Sequence, residues 1–155
     1  MEKYQESLET AARAIQIADH MAYITFPLVK EKRLLLKILS ELNSSLISII
    51  NAILQYEYSQ KRIQLYKDAR ENFLTFKHLA SSYNINPEQM KTIIEIIQLA
   101  EKHQKSPFEF VKDDKVVIMA NGMKSYTITI EKIKVYIIEA KDLIKKAGSK
   151  IKQQL

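Results

Sequence analysis

The chain has no cysteine and no tryptophan. Disulfides, thiolate nucleophiles, zinc fingers and iron–sulfur ligation are therefore excluded together. Glycine occurs only at Gly122 and Gly148, and proline only at Pro27, Pro87 and Pro107. A phosphate-cradling loop of the Walker or dinucleotide type needs several glycines close together, so that the backbone can approach the phosphates. None can be built here. The histidines His20, His78 and His103 are scattered, and no Glu-x-x-His pair occurs. Neither a metal nor a cofactor is expected on that pattern. What remains is 155 residues, 46% hydrophobic and 27% charged, with few helix breakers: the composition of a helical globular domain large enough to bury its own core.

Lysine and arginine exceed the acids by 24 to 18, and the excess is not spread evenly. Residues 111–155 hold ten lysines against five acids, whereas residues 1–110 hold fourteen basic residues against thirteen acids. A cationic C-terminal region attracts phosphate backbones, since neutralising phosphates releases their counterions. The opening Met1-Glu2-Lys3-Tyr4 has neither the basic nor the apolar segment of a secretory signal. The most apolar run, Leu46 to Leu54, is interrupted by Ser48 and Asn51 and is shorter than a bilayer span. The expected location is the cytoplasm, without a membrane partner.

Helical periodicity runs through most of the chain. Tyr4, Leu8, Ala11, Ile15, Ala18 and Ala22 alternate in steps of four and three, predicting a helix over roughly 2–24 that ends at Thr25-Phe26-Pro27. A second helix over about 28–57 has its seam at Leu35, Leu39, Leu42, Leu46, Ile49, Ile53 and Tyr56. Leu34, Leu36, Ile38, Ile47, Ile50 and Leu54 widen it, which predicts a central, mostly buried helix. Its narrow polar line, Lys37, Glu41, Ser44, Ser48, Asn51 and Gln55, is either a solvent edge or a strip for a partner helix.

The third seam, Tyr66, Ala69, Phe73, Phe76, Ala80 and Tyr83, is out of phase with the second, so a turn or kink is expected near 57–61. No glycine or proline marks it, which leaves a continuous helix as the alternative. Asn86, Pro87 and Gln89 read as a capping box opening a helix over 87–104. Ser106 to Glu109 has the same pattern and predicts a single helical turn. Lys115–Ala120 and Met123–Ile128, joined by Asn121-Gly122, predict a β-hairpin. A last helix follows, capped by Thr129, with its seam at Ile133, Ile137, Ala140, Ile144, Ala147 and Ile151 and its stop at Gly148.

The expected fold is thus mainly α: an antiparallel bundle of about five helices with a β-hairpin (about 115–128) inserted before the last. It forms one domain over 1–148, followed by a short basic tail over 149–155.

Two sets of residues carry candidate chemistry. Lys134, Lys141, Lys145, Lys146, Lys150 and Lys152 give the last helix and tail a basic surface for RNA or another polyanion. Arg13 and His20 lie seven residues apart, within about 20° of one helical face. Arg13 followed by six residues and His20 resembles the Arg-x(4–6)-His motif of the HEPN superfamily, helical bundles that include metal-independent ribonucleases. Ala14 stands where that family often has a polar residue. The resemblance implies that His20 would handle a proton while Arg13 stabilised charge on a phosphate across a dimer interface.

The thirteen aromatics fall mostly on seams and read as packing, with Tyr58, Tyr126 and Phe108 the less certain. The expected function is a non-enzymatic cytoplasmic interaction module. Its partner is a protein or a second copy, with RNA or a polyanion for the basic region. The alternative is a HEPN-like ribonuclease.

Overall fold

The computed structural model describes residues 2–153. Helix α1 (Lys3–His20) buries Ala11, Ala14, Ile15 and Ala18 along one side, and the following turn adds Ala22. Alanines at these spacings let the backbone of a neighbouring helix come close, and α1 makes its most extensive contact with α3 (Leu34–Ser59).

The chain does not break at Pro27. Residues Met21–Thr25 widen into a π-helical turn in which the Phe26 N–H donates to the Met21 carbonyl, five residues back. A proline in a regular helix lacks the N–H for its i−4 bond and collides with that carbonyl. The wider turn immediately ahead of Pro27 relieves both problems. Helix α2 (Phe26–Val29) therefore follows without interruption. The stop comes at Lys30, which takes a left-handed conformation with φ of 53° and donates to the Phe26 carbonyl at 2.8 Å.

Helix α3 is the axis of the fold. Leu35, Leu39, Leu42, Leu46, Ile49, Ile53 and Tyr56, the expected seam, are all buried. Of the expected flanks, Ile47 is exposed and Leu34 half-buried, while Leu36, Ile38, Ile50 and Leu54 are buried. Ser45 is fully enclosed, and its hydroxyl donates to the Leu42 carbonyl at 2.7 Å, which satisfies it within its own helix. The polar line from Lys37 to Gln55 stays at the surface or its margin. By length and composition alone, with a mean hydropathy of 1.3 over its most apolar window, α3 could cross a membrane. The isolated run 46–54 understated it. Half of that window is buried inside the fold.

The expected turn after α3 is real and longer than its sequence suggests. Lys61 adopts φ of 62°, and α4 (Ala69–Leu79) starts only after Asp68 accepts the Arg70 N–H. Two side chains hold this connection. Glu57, buried at the end of α3, accepts from Arg62 Nε at 2.6 Å. Asn72 pairs with both backbone groups of Tyr66, at 2.8 Å and 2.7 Å. Tyr66 and Ala69 consequently lie exposed, whereas Phe76 and Tyr83 are buried as the third seam required. A 3₁₀ turn (Ala80–Tyr83) closes at Asn84, φ 57°.

Asn86 caps α5 (Pro87–Lys105) by accepting the Gln89 N–H at 2.8 Å. The second half of the expected capping box is absent, because the Gln89 side chain is drawn across to α6 (Ile130–Gln153).

Residues 106–109 form no helical turn. Ser106 Oγ accepts the Phe108 N–H and donates to the Met119 carbonyl, which starts a strand, β1 (Phe108–Lys112). The hairpin of β2 (Lys115–Met119) and β3 (Ser125–Ile128) is thereby a three-stranded antiparallel sheet in the order β1-β2-β3. Val116 pairs with Ile128 and Ile118 with Tyr126, and Val116, Ile118 and Ile128 join the main core. Asp113 (φ 57°) makes the first turn. The second is longer than a two-residue turn, with Gly122 at φ 80° and Met123 at φ 63°.

Thr129 caps α6 as expected, accepting the Lys132 N–H at 3.2 Å. The helix then runs through Gly148 to Gln153, so the expected stop is not used. Ile151 is why: it is buried with Tyr4, Ala52 and Tyr56 in a small second cluster. Of the expected tail 149–155, only Gln154 and Leu155 lie beyond the described residues.

Gly148 sits inside a helix, and a Cβ added there meets nothing within 4 Å. Gly148→Ala is expected to raise unfolding stability by about 0.5–1 kcal/mol in urea titrations, because alanine loses less backbone entropy. Leu42→Ala is expected to lower it by about 2–5 kcal/mol. A destabilised alanine variant at position 148 would mean that the helix ends there.

Candidate functional site

Arg13 and His20 both lie exposed on α1. Arg13 Nη2 reaches Thr10 Oγ1 at 3.5 Å, the limit of a hydrogen bond. Among the described residues neither side chain bonds the other. Neither lines any of the five main concavities among the described residues. No three His, Asp or Glu side chains cluster as metal ligands among the described residues.

The six candidate lysines, all on the last helix, separate into three directions. Lys134 lies over the Tyr23 ring, 5.2 Å from its centroid, and Lys141 pairs with Asp19 at 2.6 Å. Both lean toward the N-terminal helix. Lys152 borders a largely apolar groove between α1 and α6, with Leu8, Ala12 and Ile144.

Lys145, Lys146 and Lys150 instead converge on a concavity of about 430 Å³ shared with Ser82, Asn84 and Ser149. Its one acid is Asp142. Lys150 Nζ donates to the Ser82 carbonyl at 2.8 Å and stands 4.2 Å from the Tyr83 ring centroid. Lys146 Nζ donates to Gln89 Oε1 at 2.7 Å and pairs with Asp142 at 2.9 Å. Gln89 Nε2 completes the triangle by donating to Asp142 at 2.9 Å. Lys145 is exposed near Asp142 and makes no hydrogen bond or ion pair among the described residues. An ammonium carries three donors, so Lys150 keeps two beyond its bond to Ser82, and Lys145 keeps all three.

The local folding explains the pocket. The 3₁₀ turn and the left-handed Asn84 swing the chain away between α4 and α5, exposing the Ser82 carbonyl toward α6. The Lys146 and Gln89 bonds hold the Asp142 carboxyl below the usual carboxylate range, against a smaller opposing effect of burial. One acid is thereby tied to one of the three lysines.

Ser82, Tyr83, Asn84 and Gln89 were not legible as members of a site. Gln89 was the nearest, since its position marked it as a cap.

Further along the same seam, the Tyr136 hydroxyl donates to Glu95 at 2.6 Å. Burial first, and then Glu95, push that phenol far above its usual range.

Apolar side chains gather at the π-turn end, where Leu28 is 80% and Val29 58% exposed beside Tyr23 and Ile24. The chain matches no protein-family model, no curated protein and no solved structure.

The depressed Asp142 pKa gives a signed pH effect. Its contribution is fully present above the unfolded carboxylate pKa and is lost as pH falls through the lower folded value. Asp142→Asn is expected to destabilise at neutral pH by up to about 1 kcal/mol, because the carboxyl is half exposed and screened. As pH falls through that lowered value, the variant and the parent are expected to converge in urea unfolding. A difference that persists in acid would mean that the triangle owes nothing to charge.

Proposed function

We propose that the protein is a non-enzymatic cytoplasmic binding module that holds single-stranded RNA at the concavity of Lys145, Lys146 and Lys150. The observation that carries this reading is their convergence, with Ser82, Asn84 and Ser149, around a space with a single carboxylate, itself already paired. Phosphate oxygens are acceptors only. A recess of ammonium donors, hydroxyls and one amide suits them. The recess also argues for a strand that enters it rather than a flat anionic surface. Lys134 and Lys141, bound to Tyr23 and Asp19, take no part in this reading.

The test is fluorescence anisotropy of a labelled single-stranded RNA across a salt series. Each lysine that neutralises a phosphate steepens the log–log salt dependence by about 0.7. The pair Lys145→Gln and Lys150→Gln is expected to flatten the slope by about 1.4 and to weaken binding. Lys134→Gln with Lys141→Gln is expected to leave both unchanged. Absence of binding at low salt, or equal losses from the two pairs, would overturn the assignment. The RNA is expected to be recovered uncut; cleavage abolished by His20→Ala would select the ribonuclease reading instead.

A further inference from the structure

We infer that a second cationic cleft, at the other end of the same helix seam, receives the same strand, so that the ligand is an RNA long enough to bridge both. This rests on the preceding reading and adds a length and a second point of contact.

The second cleft lies between α5, β3 and α6. One part, about 250 Å³, is bordered by Gln98, Lys102, Tyr126 and Lys132. Another, about 230 Å³, shares Lys102 and Tyr126 and adds Lys105, Asn121 and Lys124. The shared residues make the two parts one groove.

Its cations are held in place without being neutralised. Lys132 Nζ donates to the Thr127 carbonyl at 3.2 Å, and Lys102 Nζ lies 5.7 Å from the Tyr126 ring centroid. Its two acids are engaged: Glu101 pairs with Lys105 at 2.8 Å, and Glu95 accepts from Tyr136 at 2.6 Å. With Glu101 cancelled by Lys105, Lys102, Lys124 and Lys132 outweigh the still-charged Glu95 and leave the groove cationic.

The geometry of α6 aligns this groove with the first concavity. Lys132 and Lys150 are eighteen residues apart in sequence. That is five full helical turns, so both leave the same face, about 27 Å apart along the axis. The contacts of Gln89 with Asp142 and of Glu95 with Tyr136 mark the same α5–α6 seam running between them.

Glu139 lies along that stretch, with Glu95 at the near wall of the second cleft and Asp142 at that of the first. Such a seam has two grips and an acidic waist. A strand can arch over the waist, whereas a planar anionic bilayer would be held off by it. At about 3.4 Å per phosphate, a stacked strand needs about eight nucleotides to span the distance. Gln98 and Asn121 offer amide groups, which suit base edges and which a bare phosphate chain would not use.

The experiment compares labelled oligouridylates of about four, eight and twelve nucleotides by anisotropy at low salt. Two linked contacts behave as an intramolecular pair and add avidity only when the linker spans them. The dodecamer is expected to bind at least about tenfold tighter than the tetramer, with the step near eight nucleotides. Lys102→Gln with Lys124→Gln is expected to remove that step while changing tetramer affinity less than about twofold, since the Lys145 and Lys150 recess is intact.

A tetramer that does not bind at all overturns the first reading. A tetramer that binds, with no further gain for the dodecamer, overturns only the bridge. Equal losses for both lengths in the double variant also overturn the bridge. An inorganic polyphosphate of matching charge that binds as tightly as the dodecamer overturns the assignment to RNA.

Discussion

Enclosure of α3 is the constraint that the rest of the chain is arranged to meet. A helix of 26 residues with apolar side chains around most of its circumference cannot stand in water on one covered face. Full burial of each leucine or isoleucine is worth about 1.5–3 kcal/mol, and exposing a row of them would forfeit that. The other elements follow from this need. An alanine seam brings α1 close against one side, α6, α5 and α4 close the others, and the sheet applies Val116, Ile118 and Ile128 to the same core. The serine- and lysine-bearing strip is left to solvent, with Ile47 and Tyr58 exposed beside it.

That constraint also sets what is available for chemistry. The interior is packed with hydrocarbon, and the three polar residues buried in it are tied up: Ser45 bonds its own helix, Glu57 meets Arg62, and Gln89 bridges to α6. The concavities therefore lie in the seams between helices, where long lysine side chains can lay their stems on apolar neighbours and keep their ammonium groups at the rim. The α5–α6 seam is the richest of these.

The helices were legible because a buried stripe forces a 3.6-residue rhythm, and the seams of α1, α3 and α6 are buried where that rhythm put them. The misreadings each came from a local signal overruled by tertiary contact. Pro27 should have ended α1, but a π-turn absorbed it. Gly148 should have ended α6, but burial of Ile151 one turn later carries the helix past it. Ser106 and Glu109 matched a helix cap. In the fold Ser106 bonds Met119, while Glu109 meets His103 Nδ1 at 2.6 Å, so the segment is held as strand β1.

The basic surface was legible as composition but not as direction. Lysines a few residues apart on one helix differ in azimuth, and packing decides which neighbour each one meets. Lys134 and Lys141 turn to α1, while Lys146 and Lys150 turn to α5 and the 3₁₀ turn. Lys102, Lys124 and Tyr126 come from segments distant in sequence and gave no local pattern at all.

Native-state hydrogen exchange tests the central role of α3 most directly. If its enclosure is the cooperative core, amides from Leu39 to Ile53 exchange slowest of all and only through global unfolding, with a free energy equal to that from urea denaturation. Exchange of those amides as fast as those of α4, or by a local opening well below the global value, would contradict the account.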